Sequence, residues 1–426
     1  MQLKPVLGPV QLVFYSVGVI IGAGIYSVIG AVAGVAGDSL WLSFVAGSVV
    51  ALLTGLSYAE MTTSFPTAGA EYVYIRRAFP GADWASFAVG WIILLGAAAT
   101  AATVAVAFGG YLRSFWDVPV VVSAFALLLI CTMFNIWGLR ESSWLNIVFT
   151  TIEVSGLLLV IAAGLTRPHI AQPLLTPDIH PGIASGAAIL FFVYLGFEEI
   201  ANLAEEVHEP ARDMPPAILW SIAITTLLYI LVSLAAVALV PSAELAASQA
   251  PLATAVEKVW PGAGGFLSAI ALFATANTVL ITLIASSRLA FSMARDGEAP
   301  IMLAWLSPGR GTPWTAALLA FGMSVTLLPI GEIAILAGLS SFAALLAFLA
   351  VNVALIALRY RRPDHKRPFR VPLSIGSLPV LPVLAIASIF LLLAHFDWRI
   401  YFAGGIALFA SGAAYLARNA LRRRWR

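Results

Sequence analysis

Apolar residues run along this chain in long blocks, separated by short stretches where Gly, Pro and charged residues gather. A hydrocarbon layer about 30 Å thick is crossed by roughly 20 residues of α-helix, at ~1.5 Å of rise each. Measured with that ruler, the pattern predicts spans near 8–36, 39–63, 82–112, 119–137, 143–165, 182–206, 215–240, 263–295, 314–330, 333–359, 377–394 and 397–417, twelve in all. Turn-forming pairs such as Phe65-Pro66, Pro80-Gly81, Pro181-Gly182 and Pro261-Gly262 punctuate them. The blocks are much longer than the alternating runs of roughly ten residues that build a membrane barrel. The expected class is therefore an all-α integral membrane protein, with loops too short to hold a soluble domain.

Composition closes off the alternatives. Of 426 residues, 61% are hydrophobic and 10% charged, against about a quarter charged in soluble domains. A soluble enzyme, a nucleic-acid binder and a disordered scaffold are excluded. Cys131 is the one cysteine, so no internal disulfide and no cysteine-based zinc site is expected. The five histidines lie in or beside loops without ligand spacing. No metal, no cofactor and no enzymatic activity are expected, since neither a Ser/His/Asp arrangement nor a phosphate loop is readable.

The net charge of +2 says little, but its distribution says more. With the first span starting on the cytoplasmic side, 19 of the 23 Lys and Arg fall on that side, among them Arg76, Arg212, Arg310, Arg359, Arg367 and the tail from Arg418. Arg113, Arg167, Lys258 and Arg399 fall on the other. Positive charge concentrates on the cytoplasmic side of membrane proteins, so the chain is expected as a multi-pass protein of the plasma (inner) membrane with both termini cytoplasmic. The stub Gln2–Val6 has no cleavable signal, and the basic tail 418–426 is expected to touch anionic lipid rather than nucleic acid. Glu60, Glu71, Arg76, Arg288, Arg295 and Asp296 are expected in ion pairs at this side, and Glu205, Glu206 and Glu209 beside Arg212 or Arg140.

Departures from uniform apolarity mark where chemistry sits. The first span holds Ile20-Ile-Gly-Ala-Gly-Ile-Tyr-Ser27 at its middle. Gly22 and Gly24 each lower helix propensity by about 1 kcal/mol relative to Ala, which permits unwinding; close helix packing through small residues is the other reading. The sixth span carries Phe191-Phe-Val-Tyr-Leu-Gly-Phe-Glu-Glu-Ile200, where Gly196 precedes two carboxylates at a depth that is costly for charge. Two interrupted helices, five spans apart, point to the binding site of an inverted-repeat transporter.

These residues resemble the amino acid–polyamine–organocation superfamily of transporters. Gly22-Ala-Gly-Ile-Tyr26 is similar to its first-helix core, and Ser57-Tyr-Ala-Glu-Met61 with Phe65-Pro-Thr-Ala-Gly-Ala-Glu-Tyr72 to its second helix and loop. Tyr194-Leu-Gly-Phe-Glu198, Glu205-Glu-Val-His-Glu-Pro-Ala-Arg-Asp-Met-Pro215, Ser287-Arg-Leu-Ala-Phe-Ser-Met-Ala-Arg-Asp-Gly297 and Arg367-Pro-Phe-Arg-Val-Pro372 continue the likeness in order. The resemblance implies a LeuT-like five-plus-five inverted repeat, residues 1–165 and 182–359, with helices 11 and 12 over 377–417. It implies alternating-access transport of an amino acid or related amine. The substrate carboxylate would meet amides near Gly22, Ala23, Gly24 and Ile25, and its amino group carbonyls near Ile20 and Phe191. Phe192 falls at the family's aromatic gate, and Tyr194 and Gly196 would shape the pocket. The small-residue run Gly96–Ala102 either gives room for a bulky apolar side chain or tightens packing.

Glu153 lies near the middle of the fifth span, on a stripe with Asn146 and Thr150 at helical spacing. Asn277, Thr278, Thr282 and Ser286 give the eighth span a similar stripe. In sodium-independent relatives a lysine often occupies the position where the resemblance puts Glu153. Three readings of this acid stay open: proton carrier, sodium ligand with Asn277 and Thr278, or neutral structural hydrogen-bonder. The function expected is proton-coupled uptake of neutral L-amino acids. A sodium-independent exchanger, a polyamine or cationic amine transporter, and an amino-acid-binding sensor are the alternatives.

Overall fold

The computed structural model describes residues 8–66, 70–138, 143–308 and 310–406, with 408, 409, 412 and 415. The apolar blocks become helices: α1 Pro9–Ile21, α2 Gly24–Ala36, α3 Leu40–Ser64, α4 Ala70–Ala78, α5 Asp83–Leu112, α6 Val120–Trp137, α7 Ser143–Leu165, α8 Gln172–Leu175 and α9 Gly182–Leu190. The second half continues with α10 Pro210–Leu239, α11 Ser242–Ala247, α12 Pro251–Glu257, α13 Ala263–Arg295, α14 Trp314–Leu327, α15 Ile333–Arg361 and α16 Val380–Leu393. Among the described residues the strand structure is one hairpin, β1 Ser374–Ile375 against β2 Leu378–Pro379, with Ile375 opposite Leu378. The protein is an all-α membrane protein.

Twelve apolar blocks do not become twelve uniform rods. Among the described residues, eight helical stretches are long and apolar enough to cross a bilayer, or nine if Val380–Leu393 and Trp398–Ile406, bent by 109°, count as one. Pro9–Ile21 and Trp314–Ile330 are apolar but shorter, and Gly24–Ser64 joins parts of two expected spans through a 3-10 turn at Gly37–Ser39. The seventh span starts at Pro210, earlier than its apolar block suggests. Proline suits the first turn of a helix because its missing N–H has no intrahelical acceptor there.

Between helices in lipid there is little hydrophobic drive, so association rests on close packing of small residues and on hydrogen bonds. α5 runs through the centre against α13 and α15, while α10 lies on α1 and α3. The run Gly96–Ala102 faces α15: a Cβ on Gly96 would lie 3.0 Å from Ala343, and the Thr100 and Ser340 hydroxyls are 2.6 Å apart. At the end opposite the basic loops, α11 and α12 sit on α2, with the Leu245 carbonyl 2.7 Å from a Cβ built on Gly30.

At the basic end, Glu60 is buried and held by two arginines. Its Oε1 accepts from Arg359 Nε at 2.9 Å and lies 3.3 Å from Arg367 Nε, while Oε2 meets the Arg359 fork and accepts from the Val371 N–H at 2.7 Å. Glu71 takes a different partner from the ion pair expected, accepting from the Tyr58 hydroxyl at 2.7 Å. Glu209 does pair with Arg212, at 3.4 Å on the surface. Arg140, the tail 418–426, and the side chains of Asn146, Glu205 and Glu206 lie outside the described residues.

Candidate functional site

The first span breaks at Gly22, whose φ of +32° and ψ of −143° no ordinary side chain adopts readily. Helix resumes at Gly24. The sixth span leaves α9 through a 3-10 turn, Phe191–Tyr194, extends at Leu195 and turns at Gly196 with φ +122°. It resumes as 3-10 helix over Glu199–Glu206. The two breaks touch through their main chains. A Cβ on Gly24 would lie 3.1 Å from Val193 Cα, and one on Gly196 would lie 3.0 Å from the Val19 carbonyl oxygen.

Each break frees backbone groups, and two side chains from other helices meet them. The Tyr229 hydroxyl, on α10, lies 2.9 Å from the Ile20 carbonyl and 3.1 Å from that of Val193. On the sixth span the carbonyl brought to this point is therefore Val193's and not Phe191's. The physical reason is that Phe191 opens a continuing 3-10 turn, whereas the Gly196 N–H, the next donor along, turns to Glu198 Oε2 at 2.8 Å. On the first span the Ala23 N–H donates to Thr278 Oγ1 at 3.0 Å, and the Gly22 N–H still bonds Gly18 at 3.1 Å. That leaves the N–H groups of Gly24 and Ile25 as the first-turn donors of α2, which a helix start leaves without intrahelical acceptors. Just past the first break, the Tyr26 hydroxyl of α2 reaches α7 and donates to the Glu153 backbone carbonyl at 2.7 Å, while Tyr111 donates to the Tyr26 carbonyl at 3.0 Å.

Glu153 is 1% exposed. Its carboxyl hydrogen-bonds Asn277, and Oε1 meets no hydrogen-bond partner among the described residues. Leaving a buried carboxyl oxygen unpaired costs about 1–3 kcal/mol, more if it is charged. Thr150 is buried on the same face of α7. The fifth and eighth spans are thus tied side chain to side chain, and the eighth span is tied through Thr278 to the first break. Among the described residues no group of three or more His, Cys, Asp or Glu is arranged to hold a metal.

Aromatic rings close the space between the breaks and the basic end. Phe191 packs on Phe348 with centroids 5.9 Å apart, and Phe348 meets Phe197 at 5.1 Å and Tyr58 at 5.5 Å. Phe192 is buried at 4% exposure. Tyr194 turns away from the breaks, donating to the Phe44 carbonyl at 2.8 Å, with its ring 5.7 Å from that of Tyr229. Below this layer, on the loop helix α4, burial pushes the Glu71 carboxyl up to about 7 against the Tyr58 hydrogen bond, and nearby Glu199 adds to the rise.

Sequence reasoning identified both breaks and Thr278, but not Tyr229, and it quoted Tyr26 without a role. The one tyrosine of the seventh span was the available signal.

The chain matches the family model described as amino acid permease over residues 7–411. It is 30% identical to the branched-chain amino acid permease BcaP of Bacillus subtilis, with 93% of this chain and 89% of that protein aligned. The methylthioribose transporter of the same organism is also 30% identical, over 90% of this chain and 87% of its own length. Human cationic amino acid transporter 4 is 33% identical over 85% of this chain and 61% of its own length. The chain belongs to the amino acid permease family, within the amino acid–polyamine–organocation superfamily.

Proposed function

We propose that this amino acid permease carries neutral, apolar L-amino acids inward by alternating access, with protons as the coupling ion and Glu153 as their carrier. The reading includes a five-plus-five repeat of residues 1–165 and 182–359, helices 377–417 outside it, the plasma (inner) membrane as location and the basic face toward the cytoplasm. The observation that carries it is the convergence of the two breaks, which sets the carbonyls of Ile20 and Val193 within 3.1 Å of one hydroxyl. A substrate ammonium is a donor that suits the same two carbonyls, and a carboxylate suits the Gly24 and Ile25 amides at the start of α2, where the helix dipole is positive. The rings of Phe44 and Tyr194 pack beside that point, and apolar surroundings favour a substrate without side-chain charge. The name of the BcaP relative, a branched-chain amino acid permease, agrees with this class.

Coupling by protons is supported by the buried carboxyl of Glu153. It hydrogen-bonds Asn277, and its Oε1 meets no hydrogen-bond partner among the described residues. The link from Glu153 through Asn277 and Thr278 to the Ala23 amide connects its charge state to the first break.

The test is uptake of labelled L-leucine into proteoliposomes under an inward proton gradient without sodium, for wild type and Glu153→Gln. Gradient-driven accumulation that is lost in the variant, with leucine–leucine exchange retained, is the expected result. Exchange without accumulation in the wild type would overturn proton coupling and leave an exchanger. Accumulation that appears only with sodium would move the coupling ion to sodium, and saturable binding without flux would make the protein a sensor.

A further inference from the structure

A cavity of about 250 Å³ opens at the basic end, where the chain leaves α15 and passes through the β1–β2 hairpin toward α16. Arg359, Pro363, His365, Arg367, Arg370 and Ser377 line it. Two of its arginines, Arg359 and Arg367, are not flexible surface charges. The Arg359 side chain is 2% exposed and fixed by Glu60, by Ser374 Oγ at 2.7 Å and by the Val371 carbonyl at 3.2 Å. Arg367 is 11% exposed and donates to the carbonyls of His365 at 2.9 Å and of Leu358 and Arg362 at 3.0 Å. The His365 ring is stacked on Phe65, with centroids 4.8 Å apart. Arg370 is exposed and has no ion-pair partner among the described residues.

Charge does not balance here. Arg359 and Arg367 share one carboxylate, Glu60, and Arg370 adds a third guanidinium at the wall, which leaves the lining with a surplus of two positive charges. Burial lowers the affinity of Arg367 for its proton, and the charges of Arg359 and Arg370 lower it further although Glu60 opposes them. The N–H groups of Arg359 and Arg367 are largely taken by protein acceptors, so these two supply fixed positive charge at the wall while the exposed Arg370 supplies the free fork, a combination that suits a phosphate group with its about two negative charges. The ring and hydroxyl of His365 and Ser377 supply further polar groups at the wall.

We propose that this cavity binds a phosphate-bearing anion, which neutralises the surplus charge and stabilises the latch that Glu60, Arg359 and Arg367 form between α3 and α15. The anion is either the headgroup of an anionic phospholipid or a soluble phosphate compound. A basic cluster immediately outside a membrane span suits the first source, and the experiment separates the two.

The full chain is reconstituted in phosphatidylcholine nanodiscs, in the same discs with phosphatidylglycerol, and in phosphatidylcholine discs with inorganic pyrophosphate. The thermal unfolding midpoint is then read for wild type, Arg370→Gln, Ser377→Ala and Arg310→Gln. Arg310 lies on the same face, over the Trp137 ring, and serves as the single-charge control. The wild type and Arg310→Gln are expected to gain about 1–2 °C from phosphatidylglycerol, from pyrophosphate, or from both, the shift of a site filled at about tenfold its Kd. Arg370→Gln is expected to lose at least half of that gain and Ser377→Ala a smaller part, with midpoints in neutral discs unchanged. A response to the lipid alone assigns the headgroup, and a response to pyrophosphate alone assigns a soluble ligand. No gain in the wild type, or equal losses in Arg370→Gln and Arg310→Gln, would overturn the proposal.

Discussion

Replacing Tyr229 by phenylalanine removes one oxygen atom from the place where the two breaks meet. The ring keeps its neighbours, Phe44 and Tyr194, each with centroids 5.7 Å away, so the change is close to a pure deletion of the hydroxyl. That hydroxyl is fully buried and serves the carbonyls of Ile20 and Val193. A neutral hydrogen bond contributes about 0.5–1.5 kcal/mol net, and a buried carbonyl left unpaired costs about 1–3 kcal/mol. With one proton shared between two acceptors, about 1–2 kcal/mol is the expected loss in the substrate-free closed state. If the substrate's ammonium takes the same carbonyls, the loaded state does not bear that loss. Tyr229→Phe is therefore expected to lower the thermal midpoint without substrate and to bind labelled L-leucine about 5–30-fold more tightly. Scintillation proximity binding on purified protein measures the second effect. Weaker leucine binding together with an unchanged midpoint would show that the hydroxyl does not occupy the ammonium's position.

Gly196→Ala puts a Cβ at φ +122° and 3.0 Å from the Val19 carbonyl oxygen; strain of about 1–3 kcal/mol and loss of uptake are expected, and wild-type flux in the variant would refute the close contact of the breaks. Glu60→Ala and Arg359→Ala each strand a buried charge and should cost about 3–5 kcal/mol, whereas the double variant should cost clearly less than their sum; additive losses in chemical unfolding would refute the pairing. Glu71 has its carboxyl raised from 4.5 to about 7 in the folded protein. Its contribution to stability is full below the ordinary carboxylate range and is lost as pH rises to about 7. Glu71→Gln should flatten the fall of the thermal midpoint between about pH 5 and 7, and an unchanged slope would place the titration elsewhere.

The helical class was legible because a bilayer imposes length and apolarity on each crossing, and both quantities are local in sequence. The breaks were legible for a related reason, since Gly22, Gly24 and Gly196 weaken helix where they stand. What meets the breaks was not legible. Tyr229 is 209 residues from Ile20, and Thr278 is 255 from Ala23, so those hydrogen bonds depend on how helices stack. Thr278 was marked as one polar position of an eighth-span stripe, but nothing in its spacing said that it caps an amide of the first span. Glu60 was expected in an ion pair, yet its partner Arg359 lies 299 residues away among many arginines that look alike in sequence. The carbonyl that meets Tyr229 is Val193's, two residues beyond the Phe191 named from sequence, because the 3-10 turn prolongs the helix before the chain opens.

The contact of the two breaks through their main chains bears on how this protein can diversify. Amide and carbonyl groups are the same for every residue type, so a point mutation at Val19, Ile20 or Val193 leaves their hydrogen-bonding atoms in place. The glycines are constrained in the opposite sense, because any Cβ on Gly24 or Gly196 enters the neighbouring backbone. Under the proposed function, heritable change in cargo then has to come from side chains around this centre, while the part assigned to the common α-amino acid group stays nearly invisible to mutation. Drift in specificity and constancy of chemistry are thereby separated within one fold.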